Sequence, residues 1–515
     1  MVSRELIRVC RTTRSAYVFS VFAQWHGQAS RGTSEVCPCG RPLSYIHGQD
    51  PTLTGRALPM PPHNWTRNAH AAALALVLSV AVTVCHGAGP TQPGSAPNAQ
   101  AVAEVRAGKR PVANVAWWGF DPADATRFLQ AAIDAGARTV LVPYMGAEWI
   151  VTPIKLRSRL TLVFEPGVVV LAKKGAFKGK GDALFRASDA SDITIHGYGA
   201  TLRMRKKDYQ SAPYAKAEWR HVLNFKGCRR VRVEGVRLES SGGDGIYVGT
   251  TGNLPYCEDV VIRDVVCHDH HRQGISVIGA ENLLIENCVL SDTGGTAPQA
   301  GIDFEPNHGR EKLVNCVLRN CVLANNTGAG VLLYLKHLTR ESDPVSIHVE
   351  DCYIRGGKDV GIGVGAVQDS GPRGLIEFKS CTIEHTAKGG IFVYDKSADG
   401  ARVRFVNCKW KDVARPKPGV AKAKHDKKAG VPLLLTLLRP KLTKKNGGID
   451  FVDCTLYDDA DRPALVAEAR ASKLGVYDLK GRITVINPHG ARMDLRCKPF
   501  DVDLKIAGPA AGPGR

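Results

Sequence analysis

Six segments of this chain repeat a glycine followed by alternating apolar residues: Gly245-Ile246-Tyr247-Val248, Gly274-Ile275-Ser276-Val277, Gly301-Ile302-Asp303-Phe304, Gly330-Val331-Leu332-Leu333, Gly361-Ile362-Gly363-Val364 and Gly390-Ile391-Phe392-Val393. They recur every 27 to 31 residues. Interleaved with them runs a second pattern, a polar residue and then cysteine: Asn287-Cys288, Asn320-Cys321, Asp351-Cys352, Ser380-Cys381, Asn407-Cys408 and Asp453-Cys454. Two strand patterns per repeat describe a coil, and coils that cannot bury their apolar face alone must stack into a solenoid.

A helical repeat would need apolar residues at i, i+3, i+4 and i+7, whereas these segments alternate with period two and are rich in Val and Ile. The expected fold is therefore all-β, a right-handed parallel β-helix whose alternate residues share one core. The cysteines should stack inside that core, reduced and unpaired, because they lie one coil apart and free Cys is commonly buried. No Cys/His cluster of zinc spacing accompanies them in the repeats, so no metal is expected. The Asn and Asp beside them suit turns that need unusual backbone angles.

The formal net charge of +20 raises the question of nucleic acid, membrane surfaces and anionic polymers. Much of the excess lies in residues 414–445, including Lys417, Lys422, Lys424, Lys427, Lys428, Lys441, Lys444 and Lys445. This basic insertion reads as a solvated loop whose removal should leave the solenoid folded. It lacks the interleaved aromatic and basic residues of a nucleic-acid groove, so no nucleic-acid partner is expected.

The first hundred residues do not read as fold. Arg67, an apolar run over 71–84 and Gly87-Ala88-Gly89 have the layout of a secretory signal over 60–89, with Met60 as the start and 1–59 as a disordered upstream extension. The apolar run is short for a membrane span, so cleavage and a secreted or periplasmic product are expected without stable membrane insertion. Cys85 leaves a lipoprotein anchor as the alternative. Residues 90–111 read as a linker, and 112–515 as the β-helix. Ahead of the coils, Thr126-Arg127-Phe128-Leu129-Gln130-Ala131-Ala132-Ile133 has helical spacing with Gly136 to end it, which predicts a short helix capping the solenoid.

That helix and the strands after it (Val140-Leu141-Val142-Pro143, Ile154-Lys155-Leu156, Leu160-Thr161-Leu162 and Glu165-Pro166-Gly167) resemble the opening of the pectate-lyase-like and polygalacturonase-like β-helix superfamily. The resemblance implies the fold and a carbohydrate-active protein. It implies less about chemistry, because such folds host hydrolases, lyases, epimerases and adhesins. The polygalacturonase motifs Asn-Thr-Asp, Asp-Asp, Gly-His-Gly and Arg-Ile-Lys are not found as a set.

If Ile302 and Phe304 face the core, Asp303 and Glu305 point outward on one strand. The other coils carry Tyr247, Ser276, Leu332 with Tyr334, and Phe392 at the matching positions, so paired acids are confined to one coil of a face otherwise suited to sugar stacking. Plain surface is the competing reading. Close carboxylates push one pKa up, which is the acid/base division that glycoside cleavage requires. Asp244 supplies a third candidate acid, or else a turn residue. Arg272 is expected to hold an anionic group of the substrate, with His271, Gln273, Tyr247, His308 and Tyr334 as further substrate contacts. Glu218-Trp219-Arg220-His221 lies one coil earlier, either at one end of the groove or packed in a loop. Gly448-Ile449-Asp450-Phe451 repeats the wording of the site but precedes Asp453-Cys454, so Asp450 is read as structural.

The leading expectation is an exported glycoside hydrolase of an acidic polysaccharide, a monomer with no required cofactor, using Asp303 and Glu305. The alternatives are a uronate lyase or epimerase, in which Asp303 and Glu305 could hold Ca²⁺, and a non-catalytic glycan-binding or surface-structural β-helix.

Overall fold

A computed structural model describes residues 97–367, 369–415, 430–438, 446–469 and 475–508, all within the compact unit Val82–Arg515. The extension 1–59, the signal at 60–89 with Cys85, and most of the basic run lie outside the described residues.

The alternating segments form a twelve-stranded parallel sheet, here called the site sheet. Its strands in chain order are β1 (Ile154–Lys155), β2 (Phe185–Ser188), β3 (Leu223–Lys226), β4 (Ile246–Gly249), β5 (Ile275–Val277), β6 (Ile302–Phe304), β7 (Val331–Tyr334), β8 (Val360–Val367), β9 (Gly389–Lys396), β10 (Leu433–Leu437), β11 (Leu465–Ala469) and β12 (Met493–Arg496). Each pairs with the strand one coil on; Tyr247 aligns with Ser276, Ser276 with Asp303 and Asp303 with Leu332. The other 24 strands form the opposing walls, in two runs per coil such as Arg229–Glu234 and Arg237–Glu239. Ile246, Ile275, Ile302, Val331 and Ile362 are buried in one continuous core between the walls. The chain is a parallel β-helix.

The glycine column marks the closest approach of neighbouring coils. A Cβ on Gly274 would lie 2.4 Å from the carbonyl oxygen of Gly301, and one on Gly301 would lie 2.8 Å from that of Gly330. No other residue fits there without moving the backbone. Beside the cysteines, Asn287, Asn320, Asp351, Ser380, Asn407 and Asp453 all adopt left-handed backbone angles, where Asn and Asp are better tolerated than most side chains. Cys288, Cys321, Cys352, Cys381, Cys408 and Cys454 are buried and free, as their spacing predicts.

Two local expectations change. The stretch read as a linker contains helix α1 (Ala99–Arg106), which buries Ala101 and Val105 and is capped by Asn98, whose side chain accepts the Ala101 N–H at 2.9 Å. Helix α2 (Thr126–Asp134) is the anticipated cap and buries Leu129, Ala132 and Ile133. The apolar run inside the supposed insertion is β10, paired with both β9 and β11 and buried at every residue. It is therefore a coil of the solenoid rather than part of a solvated loop, and deleting 414–445 would remove a strand from the core.

Candidate functional site

The outward face of the site sheet changes character along the stack. From β1 to β6 the aligned outward residues are Lys155, Arg186, Asn224, Tyr247, Ser276 and Asp303. Beyond β6 they are Leu332, Gly363, Phe392, Leu434 and Val466. On the polar stretch, from β3 to the residues after β6, lies a cavity of about 170 Å³. Its floor is Asn224, Lys226, Tyr247 and Ile278; its walls are His221, Arg272, Glu305 and Asn307, with Gly181 and Trp219 from loops. Trp219 is 47% exposed, an aromatic face open to a ligand.

Arg272 organises the acids. It sits on the turn before β5 and donates from Nη2 to Glu305 Oε2 at 3.0 Å. Its Nη1 lies 3.8 Å from Asp244 Oδ2, and its Nε 3.9 Å from Glu218 Oε1. Burial works to lower the Arg272 pKa, but the surrounding acids, Asp244 foremost, raise it on balance and keep it charged. The residue expected to hold a substrate anion is thus already matched by the protein's own carboxylates.

Asp303 is outward, as period two requires, yet only 1% exposed. The Gln273 side-chain amide donates to its Oδ2 at 2.9 Å. Burial first, and then the adjacent Glu305 carboxylate, hold the Asp303 pKa well above its ordinary 3.8, with Arg272 opposing. Asp303 therefore lies under the cavity with its neutral form favoured, and Glu305 lines the cavity.

A stability test follows from the sign of that shift. As pH rises past 3.8 the unfolded chain loses the Asp303 proton while the folded chain keeps it, so this residue costs stability increasingly until its folded pKa is passed. Asp303→Asn keeps the shape and the acceptor for Gln273. It should raise the melting temperature at neutral pH, with the gain vanishing below about pH 4. Equal melting temperatures of the two proteins across that range would show that Asp303 is not held neutral.

Asp244 is fully buried on the turn before β4. Its backbone N–H donates to His221 Nδ1 at 3.0 Å, and its Oδ2 lies 3.2 Å from the same nitrogen. Both Asp244 carboxylate oxygens are buried without a hydrogen bond, and a buried carboxylate is costly to leave unpaired, so a proton on Nδ1 would satisfy it. Nε2 has no partner among the described residues. The His221 ring stacks on Tyr247 with centroids 4.7 Å apart. Burial pushes the Tyr247 phenol pKa up, and the Asp244 and Glu311 charges add to it, so the phenol stays protonated. Lys226 places Nζ 5.6 Å from the Tyr247 ring centroid and has no carboxylate partner among the described residues.

The remaining expected contacts stand apart from the cavity. Gln273 is buried and holds Asp303 and the Ala300 N–H. His271 Nε2 meets Thr296 Oγ1 at 2.9 Å. The His308 N–H donates to Glu311, which also holds the Asn307 N–H and so fixes the loop after Glu305. Tyr334 lies on β7 and does not line the cavity. Asp450 pairs with Arg402 and Arg404 on the opposing wall. The donors around Asp303 and Glu305 do not suit Ca²⁺, since a guanidinium and an amide NH₂ already face these carboxyls. Among the described residues no His, Cys, Asp and Glu cluster is arranged to hold a metal ion, and no helix is long and apolar enough to cross a membrane.

Lys226 does not stand out in the sequence, and His221 does so only within Glu218-Trp219-Arg220-His221, as a groove end or a packed loop, although a sharper signal for it exists. The ladder bonds Val222 N–H to the Asp244 carbonyl, Gly245 N–H to that of Gln273 and Gly274 N–H to that of Ala300. His221, Asp244, Gln273 and Ala300 therefore share one column, but Val222 stands where later coils have the marking glycine.

Comparison with known proteins agrees with this architecture. Residues 217–365 match the family described as right handed beta helix region. Over 165 residues the chain is 30% identical to the uncharacterized protein YclG of Bacillus subtilis (strain 168), a match covering 29% of this chain and 28% of that protein's length. Among solved structures, the A-module of the Azotobacter vinelandii mannuronan C-5 epimerase AlgE6 superposes with a TM-score of 0.54 at 16% identity, over 77% of this chain and 100% of that one. A hyperthermoactive exopolygalacturonase from Thermotoga maritima does so at 0.50 and 12% identity, over 77% of this chain and 96% of that one. At these identities the likeness is one of fold. The chain has the right-handed parallel β-helix fold seen in pectate-lyase-like and polygalacturonase-like proteins, several of which act on glycans.

Proposed function

We propose that this chain is an exported enzyme that cleaves an acidic polysaccharide by β-elimination beside a uronate carboxylate. The observation that carries the reading is the grouping of Lys226, Tyr247 and His221 on one side of the cavity, with Asp244 behind the imidazole. Lys226 neutralises the uronate carboxylate, which acidifies the C5 hydrogen. With its Nδ1 proton turned to the Asp244 carboxylate, His221 takes the C5 proton at Nε2, the C5–H electrons become the C4=C5 bond, and the C4–O4 bond breaks. The leaving oxygen takes the proton of the Tyr247 hydroxyl, and the imidazolium proton returns to the phenolate. Base and acid stand side by side, so elimination is syn. Asp244 orients His221 and stabilises its charged form, as a buried carboxylate does behind a catalytic imidazole. Arg272, between Asp244 and Glu305, holds the two carboxylates beside this group.

Hydrolysis by Asp303 and Glu305, the leading expectation from sequence, meets a geometric obstacle. A glycosidase needs two carboxyl groups reaching the substrate from separated positions, about 5–9.5 Å apart. Here Asp303 lies beneath the cavity against Glu305, which is the sole carboxylate lining it among the described residues. Incubation with polygalacturonate, alginate and glucuronan should release products with the ultraviolet absorbance of a 4,5-unsaturated uronate. Saturated products bearing new reducing ends would return the protein to the hydrolases.

A further inference from the structure

Charges on the opposing walls of the solenoid are stacked in opposite-sign pairs. Arg203 and Arg237 meet Glu239, Arg229 meets Glu258, and Arg263 and Arg319 share Glu286. The site sheet breaks this rule on one side of the cavity. Lys155 on β1 and Arg186 on β2 align as direct neighbours, both exposed, and neither has a carboxylate partner among the described residues. Like charges side by side on a sheet are destabilising. The next aligned position is Asn224, 8% exposed, whose amide oxygen is buried without a hydrogen-bond partner. Lys226 follows on the same strand.

The other side offers a charged polymer no cation at the aligned outward positions, which are Leu332 and Gly363 and then Phe392, Leu434 and Val466. The last three are buried and packed with Ala329, Val360 and Tyr394. A polyuronate therefore finds aligned cations in one direction only, over β3, β2 and β1.

We infer that a polyuronate lies across these strands on the N-terminal side alone, with its carboxylates on Lys226, Arg186 and Lys155, so that the enzyme works inward from one end of the chain. Strands stack about 4.8 Å apart, close to the advance per residue of an extended pyranose chain, so successive sugars meet successive strands. The unpaired cations and the Asn224 oxygen then find partners in carboxylates and a hydroxyl. The inference rests on the cavity being the reactive site, and it specifies the substrate class and mode of attack.

The test uses the full chain with oligomers of galacturonate and of mannuronate from two to six residues. Calorimetric affinity for at least one series should climb with length. In the double variant Lys155→Glu/Arg186→Glu the ratio of hexamer to dimer affinity should fall by about tenfold, the scale of a few exposed ion pairs. End-labelled hexamers of that series should shorten from one end. The inference is overturned by a ratio that the double reversal leaves unchanged, by early products cut from the interior, or by no binding of either series. Saturated products released from one end would refute elimination and leave the track standing. Unsaturated products cut from the interior would do the reverse.

Discussion

Tyr247→Phe and His221→Gln should each lower kcat by about 10²–10⁴-fold on the glycan that the wild type degrades, the usual loss for a positioned acid or base. Tyr247→Phe removes only the hydroxyl and keeps the ring stacked on His221 and beneath Lys226. KM should therefore change little, because the proton to the leaving oxygen matters in the transition state rather than in binding. Asp303→Asn should retain most of the turnover, since the amide imitates the neutral carboxyl that burial favours. That order of effects separates elimination from hydrolysis. If Asp303→Asn abolishes activity while Tyr247→Phe keeps it, the paired carboxylates do the chemistry after all.

Arg220→Leu should produce the largest structural effect near the cavity. The Arg220 guanidinium is fully buried, has no ion-paired carboxylate among the described residues, and donates to backbone carbonyls of two loops: Phe177 at 2.8 Å, Ala215 at 2.6 Å and Lys178 at 3.3 Å. It also faces the rings of Tyr209 and Tyr214. These loops bring Gly181 and Trp219 to the cavity. Leucine would leave several buried carbonyls without donors, at about 1–3 kcal/mol each. The cost should appear as local opening of residues 177–182 and 215–220 in hydrogen exchange, with weakened glycan affinity, while protection of the strands persists. Unchanged exchange in both loops would mean that their walls are held otherwise.

The repeat was legible because each coil is locally consistent. Glycine stands where two backbones nearly touch, and Asn or Asp where the chain turns left-handed. Cysteine fills a narrow layer of the core, and the period between them is plain to read. Where one marker is exchanged, legibility fades: Val222 in place of glycine blurs the column position of His221, whose cluster reads as either a groove end or a packed loop. The run at β10 was obscured for a different reason. Lysines flank it on both sides, and in that charged setting an apolar run of ordinary strand length resembles part of a loop. Helix α1 was hidden by short, small-residue composition between Pro- and Gly-rich stretches, where tertiary packing of Ala101 and Val105 decides.

By itself the sequence determined the solenoid, its cap, the unpaired cysteine column and the outward direction of Asp303, because period and backbone sterics act between near neighbours along the chain. Only the tertiary structure decided that Asp303 is buried with its pKa raised, that Arg272 is matched by Asp244, Glu218 and Glu305, and that His221 meets Tyr247. Those properties depend on desolvation and on charges brought together from turns one and two coils apart, and strand alternation specifies a face without specifying what covers it.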